Sequence, residues 1–159
     1  MKQSNTFIYE TFSSLNELEE NDRMLVEKAM ESSKRAYAPY SGFHVGACLR
    51  LEDGSMVCGN NQENASYPQG LCAERVALFS ASANHPDQTI TALALTSKDS
   101  ASLLSPCGAC RQVLLEYEQK QGQPIRVLMA SASGKVLVVQ SAQNLLPFCF
   151  SKENLNTEQ

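Results

Sequence analysis

The sequence predicts an α/β protein: one mixed β-sheet with helices packed on its faces. Three observations carry that prediction. Apolar runs of strand length alternate with helical patterns in the order β-β-α-β-α-β-β. Asp53-Gly54 sits between two of the strand-like runs and marks a hairpin turn. The 159 residues, 43% hydrophobic and 19% charged, suffice for one full core, and no repeat, low-complexity tract or Pro/Gly-rich linker divides them.

Phe7 to Phe12 alternates loosely and allows a short edge strand. The acidic stretch Glu17 to Asp22 reads as a solvated helix start. From Asn21, a candidate N-cap, to Ala36, the positions Leu25, Ala29, Ser33 and Ala36 recur at helical spacing. Pro39 and Gly42 end that helix. Val45 to Leu51 and Met56 to Asn61 are the two strands of the hairpin. The helix from Cys72 to Ala83 is apolar on nearly every side and should be buried. Ile90 to Thr96 reads as a strand, Cys107 to Gln119 as a helix and Ile125 to Ala130 as a strand. Gly134 then turns the chain into Val136 to Val139. Gln143 to Pro147 forms a short terminal helix, and the last several residues fray.

Composition bounds the function. No apolar run approaches the roughly 18 residues of a membrane helix. Met1 to Glu10 lacks a hydrophobic signal core, which makes the cytoplasm the default compartment. Six cysteines in such a chain point to metal or catalysis rather than to disulfides. A net charge of -4 disfavours nucleic acid, which needs a Lys/Arg surface. A small, nearly uncharged substrate fits better.

The chemistry sits in Cys72-Ala73-Glu74-Arg75 and Pro106-Cys107-Gly108-Ala109-Cys110-Arg111. Cys72, Cys107 and Cys110 can fill three corners of a zinc tetrahedron and leave the fourth open, as catalytic sites do. Cys107 and Cys110, at i and i+3, share a helix face, and sulfurs about 3.8 Å apart suit Zn–S bonds of roughly 2.3 Å. Cys72 has to lie at the very edge of its helix if it and Glu74 are both to reach the metal. Two helix N-termini favour thiolate over thiol. Glu74 is placed to serve as general acid and base. Three thiolates leave one Zn²⁺ with a formal charge of -1, and Arg75 can draw density away by donating to the sulfurs. A Cys-x-x-Cys alone also fits a redox pair or a structural zinc knuckle. The former leaves Glu74 unexplained, and the latter lacks a fourth ligand, since His44 and His85 read as ordinary surface or packing residues. Cys48, Cys58 and Cys149 read as small buried apolar residues.

Cys-Ala-Glu followed by Pro-Cys-x-x-Cys is the zinc deaminase signature. Together with Tyr40–Ala47, Asn61–Pro68, Ser105–Gln112 and Leu145-Leu146-Pro147 before Phe150, it resembles the small homotetrameric cytidine deaminases. The likeness runs from about Lys34 to Leu155. It implies a three-layer α/β/α cytidine-deaminase-like fold with a mixed five-stranded sheet, in a domain of residues 21–155 behind an N-terminal extension of residues 1–20. It also implies one zinc per chain, a homotetramer and a free nucleoside substrate. Phe43, Asn61, Glu63, Ala65, Tyr67 and Phe150 are the substrate-binding residues so implied, with Phe43 near the pyrimidine and Asn61 and Glu63 on the sugar hydroxyls. Phe150 would serve a neighbouring subunit's site. Gln62 departs from the usual apolar residue, and Cys48 from a common alanine.

The reading that results is zinc-dependent hydrolytic deamination of cytidine and 2′-deoxycytidine in pyrimidine salvage. Competing readings are a deaminase of polynucleotide bases, one of cytosine-containing antibiotics (blasticidin-type), or a non-catalytic zinc module. The acidic balance opposes the first, the sugar motif the second and Glu74 the third.

Overall fold

The computed structural model describes residues 1–155, so the expected fraying of the last several residues lies in part outside them. The elements are β1 (Tyr9–Phe12), α1 (Glu20–Ser33), β2 (Val45–Leu51), β3 (Met56–Asn60), α2 (Ala73–Asn84), β4 (Ile90–Ser97), α3 (Gly108–Gln121), β5 (Arg126–Ala130) and β6 (Val136–Val139). Short 3₁₀ turns follow β1, precede α2 and close the C-terminal segment, the third of them at Ala142–Leu145.

Among the described residues the sheet has six strands in the order β1-β6-β5-β4-β2-β3, and only the β4–β5 pair is parallel. Five had been expected; the sixth is the loosely alternating N-terminal run, which pairs antiparallel with β6 from Tyr9↔Val139 to Phe12↔Val136. Period-two alternation sorts the side chains into two cores. Cys48, Ala92, Ala94, Leu128 and Val138 pack with Leu25, Val26 and Ala29 of α1. Ala47, Leu49, Leu93, Leu95, Val127 and Met129 pack with Ala77, Leu78 and Leu114 of α2 and α3. The molecule therefore has three layers, with α1 on one face and α2 and α3 on the other.

Five local expectations change. α1 begins earlier than Asn21, because the Glu19 carbonyl already accepts from the Asp22 and Arg23 amides. It also ends at Ser33, short of Ala36. Asp22 is not solvated: it is buried and takes two hydrogen bonds from Arg126 (3.1 and 2.8 Å) and one from Arg50 (3.3 Å). That clamp ties the start of α1 to β2 and β5. α2 is buried on one face only; Phe79 is 43% exposed beside Val113 and Tyr117 of α3. Cys48 and Cys58 are not independent packing residues but a disulfide. They lie five residues either side of Asp53, so the hairpin register sets them face to face.

Gly59 fixes where α2 begins. A Cβ there would lie 2.7 Å from the Ala73 carbonyl and 2.5 Å from the Ala77 amide. Only glycine lets β3 approach so closely, and that contact seats the first turn of α2 against the sheet.

Candidate metal centre

Cys72 and Cys107 occupy the N-cap positions of α2 and α3, both with extended backbone and neither spending its side chain on a capping bond. Cys110 lies buried in the first turn of α3. Because Cys72 stands just outside the helical repeat, Cys72 and Glu74 can face the same side, which two positions within one helix could not. The Cys72 and Cys107 sulfurs are 3.9 Å apart, and all three sulfurs lie within 4.8 Å of one another. These spacings fit a tetrahedral zinc ion, whose sulfur ligands stand about 3.8 Å apart. The group could hold a zinc ion, and among the described residues no other His/Cys/Asp/Glu group does so.

The surroundings favour a charged cluster. Arg75 Nη2 donates to Cys72 Sγ at 3.5 Å, and Arg75 Nε is buried without a partner. The Cys72 thiol is brought down to about 5, first by a hydrogen bond from Cys110 and then by Arg75. Cys110 is pushed up in turn by that shared proton and by its burial. The cluster therefore presents a thiolate at Cys72 that a cation would neutralise, while Cys110 keeps the shared proton until a metal replaces it. Glu74, 4% exposed, is raised to about 7, chiefly by burial and further by the Cys72 charge. A carboxyl near 7 can both take and give a proton at neutral pH.

A cavity of about 290 Å³ opens beside the cluster. Cys72, Cys107 and Glu74 line it together with Phe43, Val45, Asn61 and Glu63. Asn61 and Glu63 do more here than face a ligand. Asn61 Oδ1 accepts from the Val45 amide at 2.8 Å, and its Nδ2 donates to the Phe43 carbonyl at 2.9 Å. Glu63 accepts from the Tyr40 and Ser41 amides (2.9 and 3.2 Å) and from the Ser41 hydroxyl, which together lower its pKa, the hydroxyl most. Both side chains thus build the loop that carries Phe43. Asn61 still has one N–H, and each has lone pairs, to offer a ligand.

The remaining sequence-derived residues lie outside this cavity. Ala65 is exposed. Tyr67 packs at a tilt against Tyr40, ring centroids 5.7 Å apart, over an adjoining hollow that shares Ser41 and Glu63. Phe150 is 58% exposed, with its carbonyl held by Gln112 at 2.8 Å, and is absent from this chain's own cavity wall. Sequence reasoning gave no role to Ser41, Val45, Ala73, Leu95, Leu104 or Ser105, which also line the cavity. Ser41 and Ser105 sit within the quoted motifs, two residues from Phe43 and from Cys107; Leu95 is announced only by its place at the end of a strand.

The chain is similar to known proteins in sequence and in fold. The family profile described as the cytidine and deoxycytidylate deaminase zinc-binding region matches residues 19–122. A cytidine deaminase of Halalkalibacterium halodurans is 38% identical over 134 residues, 84% of this chain and 97% of the relative. One of Sporosarcina psychrophila is 41% identical over 137 residues, 84% of this chain and 96% of the relative. The crystal structure of cytidine deaminase from Burkholderia pseudomallei superposes with a TM-score of 0.72 at 43% identity, over 80% of this chain and 97% of that one.

Proposed function

The chain belongs to the cytidine and deoxycytidylate deaminase family, and on that premise we propose that it hydrolyses cytidine and 2′-deoxycytidine to uridine and 2′-deoxyuridine in pyrimidine salvage, releasing ammonia. What carries the reading is the meeting of three sulfurs, a buried Glu74 and the Phe43–Asn61–Glu63 wall at one cavity. Cys72, Cys107 and Cys110 would hold the zinc. When bound, zinc supplies a Lewis acid that makes water acidic near neutral pH. Glu74 carries the protons: from the attacking water to ring N3, and later to the departing amino nitrogen. Phe43 covers the base, while Asn61 and Glu63 offer their remaining hydrogen-bonding capacity to the sugar hydroxyls. Among the described residues the cavity lining contains no Lys or Arg, and it includes Glu63, which opposes a phosphate or a polynucleotide.

We assign residues 21–155 to the deaminase domain, with residues 1–20 as an extension, and place the protein in the cytoplasm as a homotetramer. No helix among the described residues is long and apolar enough to cross a membrane. Exposed Phe79, beside Val113 and Tyr117, offers an apolar face for assembly. Phe150, Ala65 and Tyr67, outside their own chain's cavity, are available to a neighbour's.

Ultraviolet assays should find cytidine and deoxycytidine deaminated, with free cytosine slower by about 10²-fold or more in kcat/KM, because Asn61 and Glu63 are left without hydroxyl partners. CMP should be similarly poor. Phe150→Ala should raise KM about 10- to 30-fold, the scale of a truncated aromatic anchor, and leave zinc in place. Robust deamination of single-stranded DNA, or a fully active monomer in light scattering, would count against the proposal.

Arg75→Gln should lower activity about 10- to 100-fold, as loss of a partner to a metal ligand does, with little change in Tm and a shifted pH profile. An unchanged rate and pH profile would reduce Arg75 to a packing residue.

A further inference from the structure

Two cysteines stand apart from the metal cluster. Cys48 of β2 and Cys58 of β3 are joined across the hairpin. Backbone hydrogen bonds link Leu51 with Ser55 at its closed end and Asn61 with Val45 at its open end. Counting by twos from either end, the 48–58 pair is a non-hydrogen-bonded one, where strands come closest; the Cα atoms are 4.0 Å apart. Cys48 is fully buried against the α1 side, and Cys58 is half-buried on an edge strand.

The open end of this same hairpin builds part of the cavity wall. Val45 and Asn61 line it, and Phe43 and Glu63 lie just beyond the two strands. Among the described residues β3 has a ladder partner on one side only, and the Asn61–Glu63 segment beyond it is tied by backbone hydrogen bonds to Val45, Tyr37 and Leu71; opening of the hairpin displaces Asn61 and Glu63 by loosening that set. A covalent bond between Cys48 and Cys58, three residues from Val45 and from Asn61, blocks that opening.

We propose that Cys48 and Cys58 form a thiol–disulfide switch on substrate binding: the disulfide holds the Asn61–Glu63 end of the hairpin in register, and the dithiol lets β3 fray. The oxidant is a small-molecule disulfide such as oxidised glutathione. The Cys58 thiolate attacks it, forms a mixed disulfide and releases one glutathione. The Cys48 thiolate then attacks Cys58 Sγ and releases the second. The pair loses two electrons and two protons, and the protons leave on the two glutathione thiols. A reducing compartment keeps such a pair as dithiol, so the cross-link reports oxidation.

The test uses the zinc-loaded full chain, equilibrated in buffers of graded oxidised and reduced glutathione with added zinc. Mass spectrometry after alkylation should find a Cys48–Cys58 cross-link in oxidising buffer and none after phosphine reduction. The cross-linked form should melt about 5–10 °C higher and protect the Met56–Asn60 amides better against hydrogen exchange. Its KM for cytidine should be about 3- to 10-fold lower, the factor by which a pocket formed only part of the time weakens affinity. A Cys48→Ala, Cys58→Ala double variant should match the reduced protein in every buffer; if it fails to fold, the two forms of the natural chain decide alone. The KM measurement rests on the deaminase reading, whereas cross-link, melting and exchange do not. If neither form acts on cytidine, that reading fails and amide exchange decides the switch. Absence of the cross-link at every glutathione ratio, or equal exchange or equal KM in the two forms, overturns it.

Discussion

Glu74→Gln is expected to keep its zinc, bind a cytidine analogue and lose turnover by about 10⁴-fold, the upper end of what a general acid–base group contributes. The upper end applies because one carboxylate serves more than one proton transfer. Gln is also a clean probe at this position. Glu74 is 4% exposed, and its burial already favours the neutral carboxyl. An amide of the same shape therefore adds no buried charge, and the fold should hold within about 1 kcal/mol, as for a volume-conserving swap. What the amide cannot do is accept the proton of water and hand it on. Metal analysis, calorimetric binding and a spectrophotometric rate on one preparation separate these functions. A rate near that of the natural protein would mean that another group moves the protons.

Much of this site was legible because its chemistry depends on residue types at fixed spacing. Cys72, Glu74, Cys107 and Cys110 are read from two short motifs, and helix geometry alone put Cys72 at the edge of its helix, where it caps α2. The hairpin was legible for a similar reason: Asp53-Gly54 fixes the turn, and β2 occupies Val45–Leu51, the run expected on its N-terminal side. Features that depend on long-range encounters were not legible. Asp22 looks like a surface acid until β2 and β5 bring Arg50 and Arg126 to it. The role of Asn61 and Glu63 in shaping the 40–45 loop follows from backbone amides that carry no sequence signal. Phe79 reads as core because hydrophobicity does not say which neighbour covers it. The Cys48–Cys58 pair was recoverable from its symmetry about Asp53, a signal that opposes the expectation of free thiols in this type of chain.

Replacing the cysteines one at a time should separate metal binding from folding. Cys72→Ala, Cys107→Ala and Cys110→Ala should each lose zinc and activity together, since two remaining thiolates supply neither the charge nor the geometry of the full set. Their structural costs should differ with burial. Cys110 is fully buried in the first turn of α3, so its loss removes packing as well as a ligand, whereas Cys107 is exposed at the helix N-cap. Cys110→Ala should therefore melt lowest of the three and Cys107→Ala highest. Cys72→Ala should also release Arg75, whose Nη2 donates to that sulfur and whose Nε is already buried without a partner. Stripping zinc from the natural protein with a chelator should abolish turnover and lower Tm, and restoring the metal should recover both, because binding free energy is folding free energy when the site forms only in the native state. Metal content, Tm and rate measured together decide the assignment. Full zinc retention by Cys72→Ala would remove that residue from the ligand set, and a chelated protein with undiminished turnover would remove the metal from the reaction.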